Sequence, residues 1–307
     1  MLSLIAAPSN LGLRPPEAGA VPGTAKAPEA LREAGLYQRF LDRGAIDAGV
    51  VLPGRYRDDV RPGSDRNRNQ DAIVEHARRL ADRIGHHLDR GRVPLVIGGD
   101  CGLLVGAGLA VKARGRFGLV HLDGHTDFRH PGNSSECFSL AGEDLAAAIG
   151  RHRPELADID GAGPYFRAAD TVHIGCRDDD RGLVEAGGQL AGLIPAARVL
   201  ADGPAAAARA ALTTVTAPGL AGYWLHLDVD ILDPTVMPAV DSPSPGGLST
   251  AALIELLRAL APGAAGAQVT VFDPDLDPDG RHAALLTDIL TEGLRFLGHE
   301  QARSSAG

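Results

Sequence analysis

Lysine is almost missing from this 307-residue chain: Lys26 and Lys112 are the only two, and the other 28 of its 30 basic residues are arginine. We read this as a bias of composition and attach no function to it. Positive charge as a whole is also short. Thirty basic against 39 acidic residues give a net charge of −9, which argues against nonspecific nucleic-acid binding. Cysteine is scarce: Cys101, Cys137 and Cys176 are too few for a disulfide framework and odd in number, so a reducing, cytoplasmic setting is expected. No run of about 18 apolar residues occurs, which excludes a membrane-spanning helix. The first segment, MLSLIAAPSN, lacks the charged start and long apolar core of a secretory signal.

What is present is an ordinary globular composition, 44% hydrophobic and 22% charged, which excludes a disordered or collagen-like chain. Short apolar runs alternate with helical patterns from end to end. Leu2–Ala7, Ala48–Leu52, Val93–Ile97, Phe117–Leu122, Thr171–Ile174, Trp224–Leu227 and Gln268–Phe272 read as buried strands, with Arg198–Leu200 a weaker candidate. Helical patterns cover Asp71–Arg90, Leu103–Arg114, Thr250–Ala261 and Arg281–Leu297. Near-continuous apolar strands separated by helices indicate an α/β fold whose parallel sheet is covered on both faces. Composition shifts nowhere sharply, so residues 1–298 read as one domain and 299–307 as a disordered tail. Arg14–Pro28 and Pro53–Gly63 read as surface loops.

Ligands of such sheets bind at the carboxyl ends of the strands, and three strand ends carry unusual chemistry. VIGGDCGLLVG places Asp100 and Cys101 after the strand ending at Ile97. VHLDGHTDF places Asp123, His125 and Asp127 two residues apart. LHLDVDILDP does the same for Asp228 and Asp230. Side chains two apart on an extended segment share a face, so each motif delivers its polar groups together. Four converging aspartates would repel one another, and at least one would stay protonated. Divalent cations remove that conflict. A lone D-x-D at a strand end is more often a cap or turn, but both motifs ending apolar strands in one chain favour a pair of ions bridged by shared carboxylates.

These segments resemble the ureohydrolases: arginase, agmatinase and formimidoylglutamase. GGDC is similar to the family's GGDH, DGHTD to DAHxD, and LDVDILDP to its D-x-D-x-x-DP segment. PAVDSPSPGGLS, IGCRDDD and PEALREAGL also resemble family segments, so the likeness runs from about Leu2 to Phe296. It implies a three-layer α/β/α sandwich with an eight-stranded parallel sheet, a homo-oligomer (trimer or hexamer) and two Mn²⁺ ions. By the family pattern one ion would be held by Cys101, Asp123, Asp127 and Asp228, the other by His125, Asp123, Asp228 and Asp230. A hydroxide bridging the two ions would attack an amidine or guanidinium carbon, with Asp127 passing its proton to the departing amine.

Three departures from the pattern matter. Cys101 stands where the family has a metal-binding His; a thiolate adds negative charge and prefers Zn²⁺ or Fe²⁺ to Mn²⁺, and if it stays a buried thiol a single metal is expected. Val271, within VTVFDPDLDP, takes the place of the Glu that grips the guanidinium; Asp273 and Asp275 are nearby substitutes but read more readily as a solvated acidic turn. Ala141, in AGEDLA, takes the place of a proton-shuttling His. Glu143 is close enough in sequence to do acid–base work if buried, or equally is a first-turn helix carboxylate.

Around these, Asp178 and Asp180 match the family segment that faces the substrate's amino group, or cap their own loop. Arg129 occupies a position where an Asn often contacts substrate and suits a carboxylate bidentately; His130 and Asn133 share its loop. His121 and His226 each lie two residues before a bridging aspartate, as partners of the ligand carboxylates or as core histidines. The expectation is a metal-dependent hydrolase of C–N bonds in linear amidines acting on a small molecule, a guanidino or modified guanidino compound. The rivals are a formimino-compound or amide hydrolase on the same site, and a noncatalytic metal-binding relative.

Overall fold

Among the described residues, every pairing between the strands of the sheet is parallel. The computed structural model describes residues 1–61 and 63–300. Its strands are β1 (Leu2–Ala7), β2 (Ile46–Val50), β3 (Val93–Gly98), β4 (Gly118–Leu122), β5 (Thr171–Ile174), β6 (Gly192–Ile194), β7 (Tyr223–Asp228) and β8 (Gly266–Thr270). They form one eight-stranded sheet in the order β2-β1-β3-β8-β7-β4-β5-β6. The central strands are buried over their whole length, as a parallel sheet with both faces covered requires.

Alternation along the strands sorts the core into two halves. Leu95, Ile97, Val120, Leu122, Leu225 and Leu227 pack with the helices Pro204–Val215, Thr250–Leu260 and Arg281–Gly293 on one side. Val96, Leu119 and Trp224 pack with Gln70–Leu88, Leu103–Lys112 and Asp144–Ala148 on the other. The result is the expected three-layer sandwich. Among the described residues, no helix is long and apolar enough to cross a membrane.

The expected strands fall within two residues of the observed ones, with one exception. Arg198–Leu200 belongs to the helix Ala196–Asp202, and the sixth strand is Gly192–Ile194. Three apolar residues carry no usable period; Pro195 precedes the helix and Arg198 pairs with Asp202 one turn on. The stretch read as a loop over 14–28 contains a 3-10 turn, Gly23–Lys26, and the start of a helix, Ala27–Glu33. Between Pro53 and Gly63 the described residues hold neither helix nor strand; Pro62 lies outside them. His299 and Glu300 hydrogen-bond back to Phe296 O and Pro262 O, and residues 301–307 of the expected tail lie outside the described residues.

Candidate metal centre

β4 and β7 are neighbours, with Leu122 paired to Leu227, so Asp123 and Asp228 emerge one residue later side by side. The two motifs then fold alike. His125 N donates to Asp123 Oδ1 (2.6 Å) and Asp230 N donates to Asp228 Oδ1 (2.7 Å). Each aspartate thus caps its own turn through the amide two residues on and keeps its second oxygen for the centre.

Across the gap, His125 Nδ1 lies 2.8 Å from Asp230 Oδ2, and Gly124 N donates to Asp230 Oδ1 at 2.9 Å. Cys101, after β3, donates its thiol to Asp228 Oδ2 at 2.6 Å and lies 3.3 Å from Thr270 Oγ1. Two donor sets result: Cys101, Asp123 and Asp228, and Asp123, His125 and Asp230, with the ligand atoms of each within 4.8 Å of one another. They share Asp123. Asp127 completes the wall in a left-handed backbone conformation (φ 46°), a placement that costs energy and is typical of functional sites.

The charges conflict as the residue types foretell. Burial pushes Asp123, Asp127 and Asp228 well above the usual carboxylate range, and their neighbours add to the shift. Burial also opposes ionisation of Asp230, but the hydrogen bond and charge of His125, helped by Gly124 N and Arg177, outweigh it and hold Asp230 low. Burial likewise disfavours charged His125, yet Asp230 outweighs it and raises the imidazole to about 9. Burial and then Asp228 keep Cys101 a thiol. Asp123 Oδ2 has no hydrogen-bond partner among the described residues. A buried acidic cluster with an orphaned oxygen calls for a cation, and four carboxylates with one imidazole suit a hard or borderline divalent ion. The residues fit a metal centre of the kind that the sequence led us to expect.

Above the centre opens a cavity of about 580 Å³. Arg129, Asn133 and Asp180 line it with His125, Asp127, Asp228 and Asp230. Asp180 is committed to its own loop, accepting from Thr126 Oγ1 (2.5 Å) and Gly182 N (2.8 Å). Asn133 and His130 are both tied to Glu185. Asp178 is exposed and away from the cavity; Asp179 lines it instead. Glu143 is not brought to the cavity either. It is fully buried behind it, bound by Asn67 Nδ2 (2.5 Å), Ser139 N (3.1 Å) and His152 Nε2 (3.0 Å), which suits a structural anchor better than a proton carrier. Ala141 and Val271 do line the cavity. Asp273 and Asp275 do not: they cap their own turn and bind Gly23 N and Lys26.

Four contributors escaped the sequence reading. Arg177 is buried and donates to the carbonyls of Gly175, Asp230, Leu232 and Ser244; its place in IGCRDDD was the available signal. Asp241, within PAVDSP, lines the cavity. Asp144 lies buried beneath the centre. His173 pairs with His121 in register on the neighbouring strand.

An all-parallel eight-stranded α/β/α sandwich with a carboxylate centre at the carboxyl ends of its middle strands defines the arginase-fold class. The family model described as "Arginase family" matches residues 3–294, and the chain belongs to that family, whose members are hydrolases of C–N bonds in linear amidines. It is 30% identical over 263 residues to the arginase of Bacillus caldovelox, covering 81% of this chain and 82% of that enzyme. It is 32% identical over 239 residues to the arginase of Brevibacillus brevis, covering 74% and 76%. The solved structure of Bacillus caldovelox arginase superposes with a TM-score of 0.84 at 27% identity, covering 96% of this chain and 97% of that one.

Proposed function

We propose that this protein hydrolyses a C–N bond in a guanidino or modified guanidino compound at the centre formed by Asp123, His125, Asp127, Asp228 and Asp230. The observation that carries this reading is the pair of overlapping donor sets that share Asp123, whose members His125, Asp228 and Asp230 line the cavity. Two divalent ions, Mn²⁺ by the family pattern, would neutralise these carboxylates and supply a hydroxide nucleophile at neutral pH.

The chain's own residues do the rest. Asp127 sits on the cavity wall, where burial makes its carboxyl readily protonated. It holds the proton that the departing amine needs. Arg129 points positive charge at the cavity and orients a substrate carboxylate. Val271, which lines the cavity where the family pattern has a Glu, offers no charge to a guanidinium. Asp241 lines the same cavity, and in our reading its carboxylate takes over that grip. Asp123, Asp228 and Asp230 are buried, and the lower local dielectric strengthens their interactions.

A relocated carboxylate and the missing imidazole at Ala141 favour a variant substrate, an N-hydroxyguanidine or a formimino compound, over arginine or agmatine. The test is a panel of guanidino, N-hydroxyguanidino and formimino compounds, assayed for urea, formamide and amine products with metal supplied. Turnover of one modified compound supports the reading. Arginine turnover of about 1–10³ s⁻¹ would overturn the variant-substrate part, and release of a carboxylic acid from amides alone would overturn the amidine assignment.

A further inference from the structure

Directly beneath the centre, the sheet carries three buried histidines in one row. His173 on β5, His121 on β4 and His226 on β7 are register partners on adjacent strands, and all three are completely buried. His121 and His226 stack face to face, ring centroids 4.5 Å apart and planes 6° apart. Asp144, also completely buried, reaches into the same space from the other layer. His121 Nε2 lies 3.6 Å from Asp144 Oδ1, and His226 Nε2 lies 4.0 Å from Asp144 Oδ2. Cys101 Sγ, Asp144 and His226 offer ligand atoms all within 4.8 Å of one another, and so do His121, Asp123 and His226.

Several polar atoms in this space are unsatisfied. Both oxygens of Asp144, Nε2 of His121, both ring nitrogens of His226 and Oδ2 of Asp123 have no hydrogen-bond partner among the described residues. Six orphaned polar atoms in one buried space are costly, since each forfeits its hydration without replacement. His121 supports the site from the side: its ring stacks on His226 and is itself held by His173, whose Nδ1 lies 3.0 Å from its own Nδ1. Ligand atoms within 4.8 Å of one another need close by only about 1 Å on a small cation, since those on a tetrahedral ion with bonds of about 2.0–2.3 Å lie roughly 3.3–3.8 Å apart.

We propose that Cys101, Asp144 and His226 form an inner metal site below the carboxylate centre, selective for a borderline-soft divalent ion of the Zn²⁺ type. One imidazole, one thiolate and one carboxylate are donors that such an ion takes, with its fourth position left to water. The thiol proton of Cys101 leaves to solvent as the ion binds. The inner site accounts for Cys101, which is poorly matched to a Mn²⁺ ion held by aspartates.

X-ray absorption on the metal-stripped chain loaded with one equivalent of Zn²⁺ tests this without reference to activity. The result expected is sulfur and imidazole on the same ion. The outer set around Cys101 contains no imidazole and the outer set around His125 no sulfur, so sulfur without imidazole, or imidazole without sulfur, would overturn the proposal. Asp144→Asn keeps the shape of the side chain, and His226→Gln supplies a second variant. At least tenfold weaker Zn²⁺ binding is expected in whichever folds as judged by circular dichroism. Unchanged binding in a folded variant would also overturn it.

Discussion

The thiol of Cys101 lies 2.6 Å from Oδ2 of Asp228, each fully or nearly fully buried. In the metal-free chain the thiol is the donor, and the bond satisfies a carboxylate that burial otherwise pushes toward protonation. Cys101 therefore helps to hold the centre together before any ion binds. It becomes a soft ligand only after losing its proton.

That exchange makes the metal preference a property of one residue. Cys101→Ser keeps a hydroxyl able to donate to Asp228 but removes the soft donor. Zn²⁺ affinity should fall at least tenfold and Mn²⁺ affinity far less, as read by competition with a chelator of known affinity. Equal losses for both ions would contradict this.

The His125–Asp230 pair sets a pH dependence. The folded pKa of His125 is about 9, above its ordinary 6.5. In the metal-free chain the stability from this pair is therefore complete below about pH 6.5 and is lost as pH rises through about 9. Metal needs the deprotonated ring, so metal affinity should rise over that same window, and uptake at pH 7 should release protons. Titration calorimetry in buffers of different ionisation enthalpy measures the release. Binding independent of pH between 6.5 and 9 would contradict the pairing.

Asp241 should control the grip on a cationic substrate. Asp241→Asn is expected to lower kcat/KM about tenfold to hundredfold for cationic compounds, chiefly through KM, with the metal content unchanged. A change under twofold would remove Asp241 from the account.

Arg177 is the scaffold cation of the centre. Its guanidinium serves carbonyls on three separate segments and lies near Asp230. Arg177→Ala leaves those buried acceptors unmet and should cost about 3 kcal/mol or more. Denaturant unfolding at constant m-value measures it, and a loss below about 1 kcal/mol would contradict the assignment.

The carboxylate centre was legible because its chemistry follows a local rule. Asp123 and His125, or Asp228 and Asp230, stand two apart at the end of an apolar strand, and the backbone period alone puts them together. Asp144 follows no such rule. It adjoins Glu143 at the start of a five-residue helix, and only the packing of that helix against β4 and β7 turns one carboxylate to the histidines and the other to Asn67 and His152. His121 and His226 were visible as partners of the bridging aspartates, but the structure sets His121 Nε2 3.9 Å from Asp123 Oδ2, beyond a hydrogen bond. The loop bearing Asp178, Asp179 and Asp180 shows the same limit. Three adjacent carboxylates were readable as a group, while the choice of which two face the cavity depends on the turn that Thr126 and Gly182 impose on Asp180.

The central claim is that the paired-carboxylate centre performs the hydrolysis. Its most direct test is turnover of the compound selected from the amidine panel by metal-stripped protein, before and after Mn²⁺ is restored, with Asp230→Asn beside it. We expect no turnover before, about 1–10³ s⁻¹ after, and at least a hundredfold less in Asp230→Asn. Undiminished turnover by the stripped protein, or by Asp230→Asn, would contradict the claim.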